Sequence, residues 1–278
     1  MSTQTETTCY RHPSRETRVS CSNCGRPICP DCMTPTPVGM RCPECSQQKT
    51  QVRNLRSMNV EPIATYILLA INVMIFVGVR SNASLEYDLA LTSYAFDPYS
   101  QSIVGVSEGD WWLVLTSGFL HTEIIHLGLN MLALFWLGRM IEPALGHARF
   151  VAIYFVALLG GSLGVMILSP DEATLGASGA IYGLLGAAIV MARNRQISLI
   201  QSGLIPILAI NFVLTISLPG ISLGGHLGGL IGGLVATFVV EQLSMRRRNS
   251  LVPAVVSCAV LAVATAVVAV TIAPSSVF

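Results

Sequence analysis

The sequence predicts an all-α polytopic membrane protein with a small polar head at its N-terminal end, on three observations. Charged residues make up only 11% of the 278-residue chain, and the mean hydropathy is +0.63, values typical of membrane rather than soluble proteins. Apolar runs long enough, or nearly long enough, to span a bilayer recur from residue 62 to residue 273. Residues 1–57, by contrast, hold seven of the eight cysteines and eight of the sixteen Lys and Arg. The near-zero net charge carries no nucleic-acid signal, because charge in the body is set by topology, and no nucleic-acid partner is expected. The first 60 residues are polar, so no cleavable signal peptide is expected.

The apolar runs fall at about 62–79, 120–140, 149–168, 178–192, 199–218, 225–243 and 252–273, which predicts seven helices. The division expected is a head at 1–48, a basic linker at 49–61, a membrane domain at 62–245, and a basic loop with a seventh helix at 246–278. The loop at 80–119 carries Phe96, Trp111 and Trp112, aromatics suited to the headgroup layer. Lys49, Arg53, Arg56, Arg139, Arg149, Arg193, Arg195 and Arg246–Arg248 all fall on one side of the predicted spans. The other side has Arg80 alone among basic residues, with Glu86, Asp88, Asp97, Glu108, Asp110, Asp171 and Glu172. The positive-inside rule then puts the N-terminus in the cytoplasm and the C-terminus outside.

The head reads Cys9-x2-His12, Cys21-x2-Cys24, Cys29-x2-Cys32, Cys42-x2-Cys45. Ligands two residues apart can grip one tetrahedral ion, and four such pairs satisfy two zinc ions with none left over. A disulfide scaffold is the alternative, and a reducing cytoplasm argues against it. The short gap between the second and third pairs favours an interleaved arrangement. Cys9, His12, Cys29 and Cys32 would form one site, and Cys21, Cys24, Cys42 and Cys45 the other. So short a segment builds little core, which leaves the metal to supply most of its folding energy. The spacing resembles B-box and RING-like zinc modules, with docking to a cytoplasmic protein or regulation as the expected use. Cys258 lies in the last apolar run and reads as a small filler.

Two polar residues stand out in the membrane body. Ser178 lies in Gly176-Ala177-Ser178-Gly179-Ala180-Ile181-Tyr182-Gly183, and His226 in Gly224-Gly225-His226-Leu227-Gly228-Gly229. A histidine at membrane depth is costly unless it faces the bundle interior or water. Glycines at this spacing let helix backbones approach closely. A nucleophile on one Gly-rich helix and a base on another suggest a hydrolytic site inside a membrane. A serine alone in such a helix is more often a packing residue. Ser178 also falls at a predicted helix start, where the partial positive charge favours an anionic intermediate. His126 and Asn130, four residues apart, share one face of the second helix.

In order, Phe119-Leu120-His121, His126-x3-Asn130-Met131, Glu142 with Gly146 and Arg149, Gly176-x-Ser178-Gly179 with Tyr182, and His226-x2-Gly229-x3-Gly233 resemble the rhomboid intramembrane serine proteases over residues 60–245. The resemblance implies a six-helix rhomboid-type bundle plus a seventh C-terminal helix. Ser178 is then the nucleophile and His226 its base, in a dyad without a carboxylate. Tyr182 stacks on the histidine, His126 and Asn130 help hold the oxyanion, and Gly176, Gly179 and Gly229 support the site. No catalytic cofactor is implied. Substrates would be transmembrane segments of other proteins in the lipid bilayer, and the location a plasma membrane, of bacterial type. His121 lines the entrance or structures the first loop. The family's loop usually carries a Trp-Arg pair, but here Asp110-Trp111-Trp112-Leu113 places a leucine at the arginine's position. That puts loop architecture or efficiency in question rather than the dyad. Two rival readings are a rhomboid-like protein that binds membrane clients without cleaving them and a proton-coupled transporter. The second has no intramembrane carboxylate pair or clear repeat behind it.

Overall fold

The computed structural model describes residues 7–36, 39–47, 61–198, 200, 209, 213, 221–246 and 250–274. The chain divides into two compact units, residues 1–58 and 59–278.

In the first unit, β1 (Thr7–Thr8) pairs with β2 (Glu16–Thr17), and β3 (Thr34–Thr36) with β4 (Gly39–Arg41), both antiparallel. A short helix, α1 (Pro43–Gln47), follows. The buried cluster consists of Ile28 and six of the cysteines, so little aliphatic surface is removed from water. Glu44 on α1 accepts hydrogen bonds from Tyr10 and from Arg11, the latter at 2.5 Å, and Arg15 pairs with Asp31. These pairs are exposed and contribute little stability.

The second unit is helical. It comprises α2 (Ile63–Ser81), α3 (Ser84–Leu89), a hairpin of β5 (Ala95–Asp97) and β6 (Ser102–Val104), and α4 (Leu113–Thr116). Then come α5 (Ile124–Leu145), α6 (His147–Leu168), α7 (Ser178–Asn194), α8 (Leu223–Arg246) and α9 (Leu251–Thr271). Five of them, α2, α5, α6, α8 and α9, are long and apolar enough to cross a membrane. Helix α7, with 17 residues, reaches only ~26 Å against a ~30 Å hydrocarbon core. The span expected at 199–218 lies almost wholly outside the described residues.

The second apolar run, expected to be helical from residue 120, forms helix only from Ile124. Leu120 is extended and completely buried, so its apolarity reflects packing rather than spanning. The loop expected at 80–119 is folded in its own right. Leu113, at the position of the family's arginine, is 1% exposed and anchors α4 in the core. Ser162 of α6 donates to the Val114 carbonyl at 2.6 Å, and Thr116 donates to that of Leu89 at 3.0 Å. From the far end of the chain, the Pro274 carbonyl accepts from Ser93 at 2.6 Å.

Helix α8 packs chiefly between α6 and α7, and its glycines form two rows at i, i+4 spacing. Gly224, Gly228 and Gly232 face Gly164, Gly160 and Val156 of α6, while Gly229 and Gly233 face Gly179 and Gly183 of α7. A methyl group on most of these residues would strike the opposing backbone. Helix α9 lays Ala254, Cys258 and Ala269 into the core and turns Val252, Val256, Val260 and Val263 outward.

Glu142, near the end of α5, is fully buried. Its carboxylate accepts from the Ala64 and Thr65 N–H groups at 2.8 Å each, and from the Thr65 hydroxyl at 2.6 Å. His147 Nδ1 lies 2.5 Å from Oε1, the oxygen that also accepts from Ala64. The first turn of any helix leaves N–H groups without partners, and here a carboxylate from another helix satisfies two of them. Replacing Glu142 with Gln puts an NH2 in place of one of the two accepting oxygens, facing a donor, and is expected to cost about 2 kcal/mol. The readout is a lowered apparent unfolding temperature in detergent; an unchanged midpoint would show the clamp is not stabilising.

Candidate functional site

The site is assembled at the end of the bundle where α7 begins. The chain enters through Gly176, whose φ of +121° is strained for any residue with a side chain. A Cβ there would also lie 2.9 Å from His126 Nε2 and 3.6 Å from Asn130 Nδ2. Gly176 thus serves two needs: the backbone turn and the approach of two polar side chains from α5. Its N–H is held by the Ser117 carbonyl at 2.9 Å.

Helix α7 starts at Ser178, and its N-cap, Ala177, has no side chain able to cap the first turn. The N–H groups of that turn therefore meet the site with their partial positive charge uncompensated by a capping oxygen. Tyr182 lies one turn further on the same face of the helix as Ser178. It stacks on His226 with ring centroids 3.9 Å apart and planes 17° from parallel. Close contact of α7 with α8 at Gly179, Gly225 and Gly229 brings the two rings into register. Tyr182 and His226 are both buried.

For His121 the sequence offers two roles, lining the entrance or structuring the first loop. In the structure its ring is completely buried and lies edge-on to that of His126, with centroids 5.0 Å apart. Its Nε2 is 3.0 Å from Asn130 Nδ2 and 3.5 Å from the Ala177 nitrogen, and its Nδ1 is 3.4 Å from the Phe119 carbonyl. Two donors facing Nε2 require it to be the acceptor, with the proton on Nδ1 directed at Phe119. His121 thereby orients the Asn130 amide and leaves its second N–H without a partner among the described residues, close to Gly176. A nine-residue separation spanning a loop and a helix start has no periodic signature, so sequence reasoning had no signal for this pair.

In the head, the side chains fall into the two interleaved groups, Cys9, His12, Cys29 and Cys32, and Cys21, Cys24, Cys42 and Cys45. Within each group the candidate ligand atoms all lie within 4.8 Å of one another. Tetrahedral zinc with Zn–S of ~2.3 Å requires sulfurs ~3.8 Å apart. Cys24 and Cys42 Sγ are 3.8 Å apart, and His12 Nδ1 lies 3.8, 3.3 and 3.5 Å from the sulfurs of Cys9, Cys29 and Cys32. No disulfide joins them. The Cys42 N–H, 3.3 Å from Cys21 Sγ, pulls that thiol down to about 6, while burial pushes Cys32 up to about 11 and Cys42 up to about 12. The donor chemistry and spacing of both groups fit a metal ion.

The Rhomboid domain family matches residues 108–243, a stretch running from the first loop through α8 and holding every site residue of the membrane unit. The rhomboid protease GluP of Bacillus subtilis (strain 168) is 34% identical over 184 residues, covering 65% of this chain and 35% of that protein. The chain thus spans about a third of GluP's length. YdcA of the same organism, which also carries the rhomboid name, is 31% identical over 191 residues, covering 67% of this chain and 92% of that protein. RHOMBOID-like protein 5 of Arabidopsis thaliana is 39% identical over 87 residues, covering 30% of this chain and 28% of that protein. With helices of membrane-spanning length, a glycine-packed core and a matched relative covered almost from end to end, the chain belongs to the rhomboid family.

Proposed function

We propose that the protein is an intramembrane serine protease that hydrolyses peptide bonds in or near transmembrane segments of other membrane proteins. The observation that carries the reading is the Tyr182–His226 stack, which sets a buried imidazole beside the helix face that Ser178 opens. Packing against a tyrosine fixes the ring without a third carboxylate, which would be expensive at membrane depth. In this mechanism Ser178 attacks the carbonyl carbon while its proton passes to His226. The oxyanion receives hydrogen bonds from Asn130, His126 and the uncapped first turn of α7. The protonated His226 then gives its proton to the leaving amine, and water attacks the acyl-enzyme by the same route in reverse. The orientation proposed is cytoplasmic at the N-terminus and external at the C-terminus, in a bacterial-type plasma membrane. The head is proposed to hold two structural zinc ions and to engage a cytoplasmic protein.

Labelling by a fluorophosphonate of the full chain in lipid tests this reading. Wild type is expected to react, and Ser178→Ala and His226→Ala to lose the label. A folded wild type that stays unlabelled beside a reactive rhomboid control would favour the client-binding reading.

A further inference from the structure

At the same end of the bundle, outside the site, α2 and α5 part to leave a cleft of about 480 Å³ lined by Phe76, Arg80, Thr122, Glu123, Ile124 and Ile125. Small-ligand sites typically measure ~300–1,000 Å³. The cleft carries one cation and one anion; among the described residues neither makes an ion pair, and Glu123 has His126 as an electrostatic neighbour. Arg80 is the only basic residue the sequence places at this end of the spans, in the last turn of α2. Glu123 is the N-cap of α5. Both lie where apolar helix gives way to polar loop, the level of the lipid headgroups, and an arginine there can extend its guanidinium to phosphate. Phe76 lies one turn below Arg80 on the same face of α2. Ile124 and Ile125 are 67% and 72% exposed, so the cleft opens toward the outside of the bundle.

We propose that this cleft binds one zwitterionic phospholipid with a primary ammonium, of the phosphoethanolamine headgroup class. The phosphate pairs with Arg80, whose planar guanidinium suits phosphate oxygens. The ammonium donates to the Glu123 carboxylate, and the acyl chain lies over Phe76, Ile124 and Ile125. Arg80 and Glu123 then each face a group of opposite charge. A purely anionic headgroup would satisfy Arg80 but bring no cation to Glu123, leaving the phosphate charge beside that carboxylate uncompensated. A trimethylammonium headgroup has no N–H to donate to that carboxylate. A peptide segment would supply neither the phosphate that suits Arg80 nor the ammonium that suits Glu123. The bound lipid would sit against the turn that leads into His126, three residues beyond Glu123.

Native mass spectrometry of the full chain, released from micelles doped with equimolar phosphatidylethanolamine, phosphatidylglycerol and phosphatidylcholine of matched acyl chains, tests the assignment. Wild type is expected to retain phosphatidylethanolamine over the other two. Arg80→Gln should lower that retention about fivefold, and Arg80→Lys should restore part of it. Glu123→Gln should abolish the preference for phosphatidylethanolamine over phosphatidylglycerol. Arg195→Gln, at the opposite end of α7, should change nothing, and unfolding temperatures check that each variant is folded. Equal retention of the three lipids by wild type would overturn the proposal. So would a preference for phosphatidylglycerol, or Arg80→Gln and Glu123→Gln variants that behave like Arg195→Gln. Absent lipid preference with a raised KM for a peptide substrate in both variants would assign the cleft to substrate instead.

Discussion

Ser178→Ala is expected to abolish cleavage of a transmembrane reporter in proteoliposomes, by a factor on the order of 10⁴–10⁶. The other side chains gathered at the start of α7 are His121, His126, Asn130, Tyr182 and His226, and the one hydroxyl among them, the Tyr182 phenol, sits on a ring stacked flat on the imidazole, fixed by that packing rather than placed as a nucleophile. Asn130→Ala should behave differently, with kcat falling about 10²–10³-fold and KM little changed, as when one oxyanion donor is removed. His121 then predicts a distinct phenotype. Once its imidazole no longer accepts from the Asn130 amide, His121→Ala should approach the Asn130→Ala value, and the double variant should be no worse than the single ones. Residual turnover of Ser178→Ala within tenfold of wild type, on a folded sample, would exclude the dyad. Additive losses in the double variant would exclude the positioning role.

Metal removal should separate the two units of the chain. Structural zinc contributes about 10–16 kcal/mol of apparent binding free energy in small modules, and the head has only Ile28 as a fully buried large aliphatic side chain among its described residues. Metal analysis of the purified protein is expected to give two zinc ions per chain, and Cys21→Ser to give one. A strong chelator should make residues 7–47 sensitive to protease while the second unit keeps its reactivity toward fluorophosphonate. A metal-free head that resists protease as well as the untreated one would remove zinc from the account.

What was readable in the sequence was whatever repeats or lies close along the chain. Cys-x2-Cys spacing announces its chemistry within four residues, and the glycines of α8 announce close helix packing through their i, i+4 recurrence. Which helix each glycine row meets was not readable, since it depends on how α6, α7 and α8 are arranged in space. The Glu142 clamp joins residues 77 and 78 positions apart, and a buried glutamate in an apolar run gives no hint of its partner. His121 and Leu120 illustrate the other failure. Both fell in an apolar stretch expected to be helical, yet they belong to a packed non-helical segment, because hydrophobicity reports burial without saying whether lipid or protein does the burying. Leu113 is the same lesson in reverse: an apparent loss of a loop arginine is, in three dimensions, an apolar anchor.

The Glu142 clamp also has a mechanical consequence. It pins α2 to α5 at one end, where Gly138 and the Thr65 side chain are also pressed together, while the opposite ends stand apart around Arg80 and Glu123. Two rods hydrogen-bonded at one end and, among the described residues, held at the other only by apolar packing, Val79 with Leu120, behave as tweezers with a soft tip. Over the ~28 Å of α2, a rotation of only 5° about the pin moves the free tip by ~2.5 Å. Displacement is smallest at the hinge and largest beside the turn leading to His126, so the tips concentrate whatever play this pair of helices retains.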